Sequence, residues 1–154
     1  MPHVNKFLIM TVTLTRQNDD YLFNASGPNQ HTISMDFSKE GNPQGASPME
    51  LLLMSIGGCN AIDVIYVLKK QRQRVDAYTV KVTGERAVVD KAKPFTSALV
   101  EIHLEGDIVP AKALRAAKLS FEQYCSVSMS LRGSMTIEHA VFVNGEKVND
   151  PSDS

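Results

Sequence analysis

The run SPMELLLMSIGGCNAIDVIYVLKK, residues 47–70, sets up a helix around which the rest of the chain must be arranged. Ser47-Pro48-Met49-Glu50 is an S-x-x-E capping box with proline at the first helical position, the signature of a helix start. From Leu51 to Leu68 the run is apolar almost all round, interrupted by Ser55, Asn60, Asp63 and Tyr66. Its length approaches that of a membrane span, roughly 20 residues. Asn60 and Asp63 fall in mid-run beside Gly57-Gly58, however, and a helix buried at the centre of a soluble assembly accounts for them better. Lys69, Lys70, Arg72 and Arg74 close the stretch, where cations suit the helix dipole.

On either side of this helix the sequence reads as strands. Thr11–Arg16 alternates and is β-branched, Gln17-Asn18-Asp19-Asp20 is turn chemistry, and Tyr21–Asn24 and His31–Phe37 are extended. Ser38–Ala46, with two glycines and a proline, is a loop. After the helix, residues 78–89 and 97–105 alternate as two strands of a hairpin, with Lys91-Ala92-Lys93-Pro94 in its loop. In the second, Ala98, Val100, Ile102 and Leu104 share one face. Pro110 opens a second helix whose stripe is Leu114, Ala117, Phe121 and Tyr124, with Cys125 near its end. Gly133 punctuates, and Met135–Asn144 is the last strand. The order β-β-β, α, β-β, α, β gives an α+β domain over residues 1–148 with antiparallel sheets. Residues 149–154 form a flexible tail. One domain has few layers with which to cover a helix apolar all round, so burial at a subunit interface is expected.

The composition narrows the function. With 16 Lys+Arg against 17 Asp+Glu the formal net charge is -1, which removes the basic excess that a general nucleic-acid binder shows. No tryptophan is present and aromatics are 6%, little for a base-stacking surface. The N-terminal apolar run, Phe7 to Met10, is too short for a secretory signal, which points to a reducing cytoplasm. Two cysteines, 66 positions apart, make neither a CxxC nor a zinc-finger spacing. His3, His31, His103 and His139 show no HxH or HxxxH spacing and read as solvent-facing strand positions, so neither a metal nor another cofactor is expected.

Cys59 and Cys125 are the candidates for chemistry, and each also fits a small buried core residue. Gly57-Gly58 before Cys59 allows a backbone or ligand to approach closely. Glu50 fits the capping box with Ser47. Nine residues of helix put Glu50 about 13 Å from Cys59 and on the opposite face, so it could serve only the thiol of a partner chain. Asp63, one turn after Cys59, would disfavour a thiolate there. As a structural residue it is a hydrogen-bonded polar group in a buried interface.

The run Ser47–Leu53 followed by Gly57-Gly58-Cys59-Asn60-Ala61-Ile62-Asp63-Val64 resembles the OsmC/Ohr family, the osmotically inducible and organic hydroperoxide resistance proteins. So do Leu119-Ser120, Tyr124-Cys125-Ser126-Val127, Thr83-Gly84-Glu85-Arg86 and Pro94-Phe95-Thr96. The resemblance implies an intertwined homodimer in which two long central helices are wrapped by antiparallel sheets. It implies a cofactor-free thiol peroxidase that reduces organic hydroperoxides at the expense of a thiol reductant of unknown identity, without nucleic acid or membrane. By position, Cys59 becomes the peroxidatic thiol and Cys125 the resolving thiol. Glu50 becomes the carboxylate that orients an activating arginine, both from the partner chain. The sequence departs from the family at that arginine. Residues 34–39 hold none, which leaves Arg16 in the first hairpin. The alternative function is a non-catalytic or differently acting dimer of the same fold, binding a small apolar ligand between subunits. A thiol-ligated metal site is a weaker third reading.

Overall fold

The computed structural model describes residues 8–153. His3 and Phe7 lie outside the described residues. The chain divides into two compact units, Met1–Leu51 and Leu52–Ser154.

In the first unit, β1 (Thr13–Arg16), β2 (Phe23–Ser26) and β3 (Thr32–Met35) form an antiparallel meander. The second strand begins two residues later than the alternation implies. Asn18 is the reason: its side chain accepts from the backbone N–H groups of Asp20 and Leu22, and so draws both residues into the turn. The Asp36 carboxylate organises the loop beyond β3 by accepting from the Phe37 and Gln44 backbones.

Helix α1 (Pro48–Lys70) starts at the capping box, which is formed in both directions. The Ser47 N–H donates to Glu50 Oε2 at 2.7 Å and the Glu50 N–H to Ser47 Oγ at 3.2 Å. By length and hydropathy α1 is apolar enough to cross a membrane. One face is instead taken up by protein: Ile56, Asn60, Val64 and Leu68, four residues apart, are wholly buried. The opposite stripe, Met54, Gly58, Ile62 and Tyr66, is exposed, with Ile62 at 73%. The paired glycines therefore differ. A Cβ on Gly57 would meet a Val82 methyl at 2.8 Å, whereas one on Gly58 would enter open space.

The second unit is a four-stranded sheet in the order β4 (Arg74–Arg86), β5 (Phe95–Asp107), β6 (Thr136–Val143), β7 (Glu146–Lys147). Alternation in β5 is as the sequence implies: Ala98, Val100, Ile102 and Leu104 are buried and join Ile56, Val64, Val67 and Leu68 of α1 in one core. The hairpin strand β4 starts four residues before Tyr78. A bulge at Asp76 resets its register, and that extra residue hides the alternation of Val75 from a period-two reading.

Two further differences lie in the last third of the chain. Strand β6 runs parallel to β5, so the sheet is mixed rather than purely antiparallel. The intervening helices make a crossover that returns the chain to the same end of the sheet, as parallel neighbours require. The expected single second helix is three pieces: α2 (Pro110–Leu119), a π turn (Ser120–Tyr124) and α3 (Ser126–Leu131), with Cys125 extended at φ -74°, ψ 102° between the last two. Past Val148, in the segment read as a tail, the Asp150 carboxylate pairs with Lys118 and Pro151–Asp153 make a 3-10 turn. Of the histidines, His31 is exposed, but His103 and His139 are half-buried and stack on Phe142 and Phe121 at 4.5 and 4.4 Å. Burial pushes the His139 imidazole below its ordinary pKa, assisted by the charge of Lys118.

Candidate functional site

Regular helix geometry puts Cys59 and Asp63 on one face of α1, one turn apart, with Asn60 beside them. The broken second helix brings Cys125 to that face. The π turn has a physical signature: the Cys125 N–H donates to the Ser120 carbonyl at 2.8 Å, five residues back. Arg132 donates to the Phe121 carbonyl at 3.0 Å and so supports the wide turn from outside. Cys125 then caps α3, its sulfur accepting from the Ser128 N–H at 3.3 Å.

The outcome is a convergence of three groups. The sulfurs of Cys59 and Cys125 and a carboxylate oxygen of Asp63 all lie within 4.8 Å of one another. Cys125 is buried, while Cys59 and Asp63 are half-buried. A polar chain holds the elements together. The Asn60 amide donates to the Ile56 carbonyl at 2.8 Å and to Ser128 Oγ at 3.4 Å. The Ser120 hydroxyl lies 2.7 Å from Asn60 Oδ1 and 3.0 Å from Asp63 Oδ2. Asn60 and Ser120 are wholly buried, and their mutual hydrogen bond is what lets them be.

The electrostatics oppose an easily formed thiolate at Cys59. Burial pushes this thiol up, and the neighbouring Cys125 and Asp63 push it further in the same direction. The Val127 N–H, which donates to the sulfur, acts the other way.

The four residues singled out in the sequence thus fall into two groups. Cys59 and Cys125 come together, which spacing in the chain could not reveal. Glu50 is exposed and engaged with Ser47, whose N–H and hydroxyl hold its carboxyl below the usual range. Arg16 donates to the backbone carbonyls of Asp19 and Asp20 in the turn of its own hairpin. Asp63 is hydrogen-bonded as expected of a structural residue, but it also faces both sulfurs. Its signal was the four-residue spacing from Cys59. Ser120 stood out only as part of a motif of the resembled family and Ser128 not at all, since their roles depend on contacts 60 and 68 residues distant in sequence.

The family profile described as OsmC-like protein matches residues 41–140, which include both thiols and Asp63. Among curated proteins, Protein YhfA of Escherichia coli K12 is 40% identical over 111 residues, 71% of this chain and 81% of its own. Among solved structures, a hypothetical protein from Aquifex aeolicus VF5 superposes with a TM-score of 0.79 at 28% identity, covering 90% of this chain and 98% of its own. A Legionella pneumophila protein described as the organic hydroperoxide resistance protein OsmC gives a TM-score of 0.64, covering 90% and 100% of the two chains. At 13% identity it shares the fold alone.

Proposed function

This chain belongs to the OsmC-like protein family, and we propose that it is a homodimeric thiol peroxidase that reduces organic hydroperoxides. The observation that carries the reading is the meeting of the only two thiols, distant in sequence, within 4.8 Å. The substrate class is taken by analogy from the Legionella protein of the same fold, which is described as an organic hydroperoxide resistance protein.

Each step can be written from this chain's residues. The Cys59 thiolate attacks the terminal oxygen of the hydroperoxide. An S–O bond forms, the O–O bond breaks, and the alkoxide takes up a proton and leaves as the alcohol. Cys125 then attacks the sulfenic sulfur, an S–S bond forms, and water leaves. A thiol reductant returns two electrons and two protons by exchange. In this reading Cys125 must close on Cys59 to a bond of ~2 Å. The Val127 N–H is the local donor that favours the thiolate. Arg16 and Glu50 of a partner chain are assigned the remainder: a guanidinium opposite the thiolate, held by a carboxylate. Both would exchange their present local partners on assembly.

The dimer is supported by the uncovered stripe on α1. Met54, Ile62 and Tyr66 expose 57%, 73% and 55% of their surface around Gly58, a bare position at which a second helix could approach closely. Light scattering is expected to give a dimer at micromolar concentration, and a stable folded monomer would remove it. A cytoplasmic, reducing setting fits two free thiols.

The raised Cys59 thiol favours a second reading, a differently acting dimer that binds a small apolar ligand between subunits. Mass spectrometry after one equivalent of cumene hydroperoxide separates them. A peroxidase loses two hydrogens per chain as the disulfide forms. A protein that stays a free dithiol and consumes no peroxide removes the first reading and makes the second the better of the two.

A further inference from the structure

The peroxidase reading needs two of the three groups that converge between α1 and α3. Asp63 is the third, and in a site made only for thiolate chemistry it is misplaced, because a carboxylate beside a sulfur opposes the charge that the sulfur must acquire. Two sulfurs and a carboxylate oxygen facing one another within 4.8 Å make sense as the donors of a cation. We propose that the reduced site binds a thiophilic divalent cation, Zn²⁺ foremost, through Cys59 Sγ, Cys125 Sγ and the Asp63 carboxylate, with a fourth position open to water.

The geometry suits that ion. With Zn–S of about 2.3 Å and Zn–O of about 2.0–2.2 Å, tetrahedral coordination sets the sulfurs about 3.8 Å apart and each about 3.5 Å from the oxygen. The observed ceiling of 4.8 Å requires a contraction of at most about 1.0 Å between the sulfurs and about 1.3 Å between sulfur and oxygen. Cys59 and Asp63 ride one turn apart on one face of a helix, so their pair adjusts by side-chain rotation and any backbone shift falls to Cys125. The outer partners are also those of a ligand set. Ser120, itself tied to Asn60, sits 3.0 Å from Asp63 Oδ2 and leaves the other carboxylate oxygen available. Backbone N–H groups of Val127 and Ser128 point at the two sulfurs and would spread their charge. Half-buried Cys59 and Asp63 give the ion a way in. Two sulfurs exclude Mg²⁺ and Ca²⁺, and the carboxylate favours Zn²⁺ over Cu⁺, which two thiolates alone would satisfy. Histidine spacing is the usual sequence signal for such a site, which is why the chain read from its sequence offers none.

Binding is an exchange without electrons: two S–H bonds give up protons, two S–metal bonds form, and the carboxylate adds as it stands. A disulfide uses the same sulfur electron pairs, so ion and disulfide exclude each other. The inference does not rest on the peroxidase reading, because it is tested with no peroxide present.

The test takes the full-length protein, reduced and stripped with a chelator. It is titrated with Zn²⁺ by calorimetry and with Co²⁺ by absorbance. One ion per chain at micromolar affinity or better is expected, with a thiolate-to-cobalt charge-transfer band and the visible bands of tetrahedral Co²⁺. Cys59→Ser should lose at least half of the charge-transfer intensity, since one of the two sulfur ligands is gone. Asp63→Asn should keep it and bind at least about tenfold more weakly, since losing a ligand costs no less than losing a group that supports one. Alkylating both thiols of the wild type should abolish binding without any substitution, which covers a variant that fails to fold. Substoichiometric binding at micromolar metal, unchanged affinity in Asp63→Asn, or binding that survives alkylation would each overturn the site. A chain that binds the ion and ignores cumene hydroperoxide loses the peroxidase reading and keeps this one.

Discussion

The two cysteines sit in opposite kinds of backbone. Cys59 lies in the middle of a 23-residue helix whose buried face repeats every four residues. Cys125 lies in a stretch that passes from α-helix to π turn to extended residue to a new short helix within Leu119–Ser126. One thiol is held still and the other is hung on a joint. For any event that must draw the sulfurs together, whether a disulfide or a shared ion, the displacement is expected at the joint. There, regular hydrogen bonding is already interrupted and little of it has to be given up.

The sharpest way to break this asymmetry is to remove one thiol at a time. Cys59→Ser is expected to abolish peroxide consumption, since no nucleophile remains. Cys125→Ser should react once and stop, gaining one oxygen at Cys59 where the wild type loses two hydrogens, as intact-protein mass spectrometry would show. Equal residual turnover in both variants would make the two positions equivalent and end the distinction.

Next in size is the pin between the two backbones. Asn60 is wholly buried and ties α1 to Ser120 and Ser128. Asn60→Ala leaves the Ser120 hydroxyl with one acceptor fewer and a small void, so a loss of about 2 kcal/mol is expected in urea denaturation. Disulfide formation in the folded variant should slow as well, because Cys125 is less well placed. A neutral substitution would show that the joint is set by β6 packing alone.

The smallest effect concerns the far end of the broken helix. Lys118, two residues before the π turn, pairs with Asp150, and that pairing, with the Ser152 backbone N–H, brings the Asp150 carboxyl down to about 2 from 3.8. A depressed carboxylate contributes stability above its unfolded pKa and loses it as pH falls through the folded value. The wild type should therefore shed a modest part of its melting temperature between about pH 4 and pH 2, a part that Asp150→Asn lacks at every pH. Because both side chains keep part of their surface in water, 35% for Lys118 and 16% for Asp150, salt should shrink the difference without abolishing it.

How much of this was legible follows the same division. The helix carrying Cys59 announces itself locally, through Ser47 and Glu50 at its start and lysines at its end, and both marks are where the sequence puts them. The buried alternation of β5 was equally plain. The parallel pairing of β6 was not, since strand direction follows from how the crossover packs. The segment around Cys125 misled most: Leu114, Ala117, Phe121 and Tyr124 keep a helical spacing across a helix that does not persist. Periodicity reports which side chains are apolar and says nothing of a backbone hydrogen bond that reaches one residue further. Of the site, the two thiols could be named, through the family they resemble, and their distance could not. Asp63 was visible as a neighbour of Cys59 but not as a neighbour of Cys125.

The π turn also makes the site sensitive to counting. It accommodates one residue more than an α-helical turn would. Its middle residues, Glu122 and Gln123, are exposed, so their identity is loosely constrained. Their number is not: losing either would let the turn close into α-helix and swing everything after it by about 100° around the axis. Cys125 would then face away from Cys59 with every contacting residue still encoded. A change of spelling at these positions is tolerable, whereas a change of length is not, and a lineage that deletes one codon here forfeits the thiol pair in a single step.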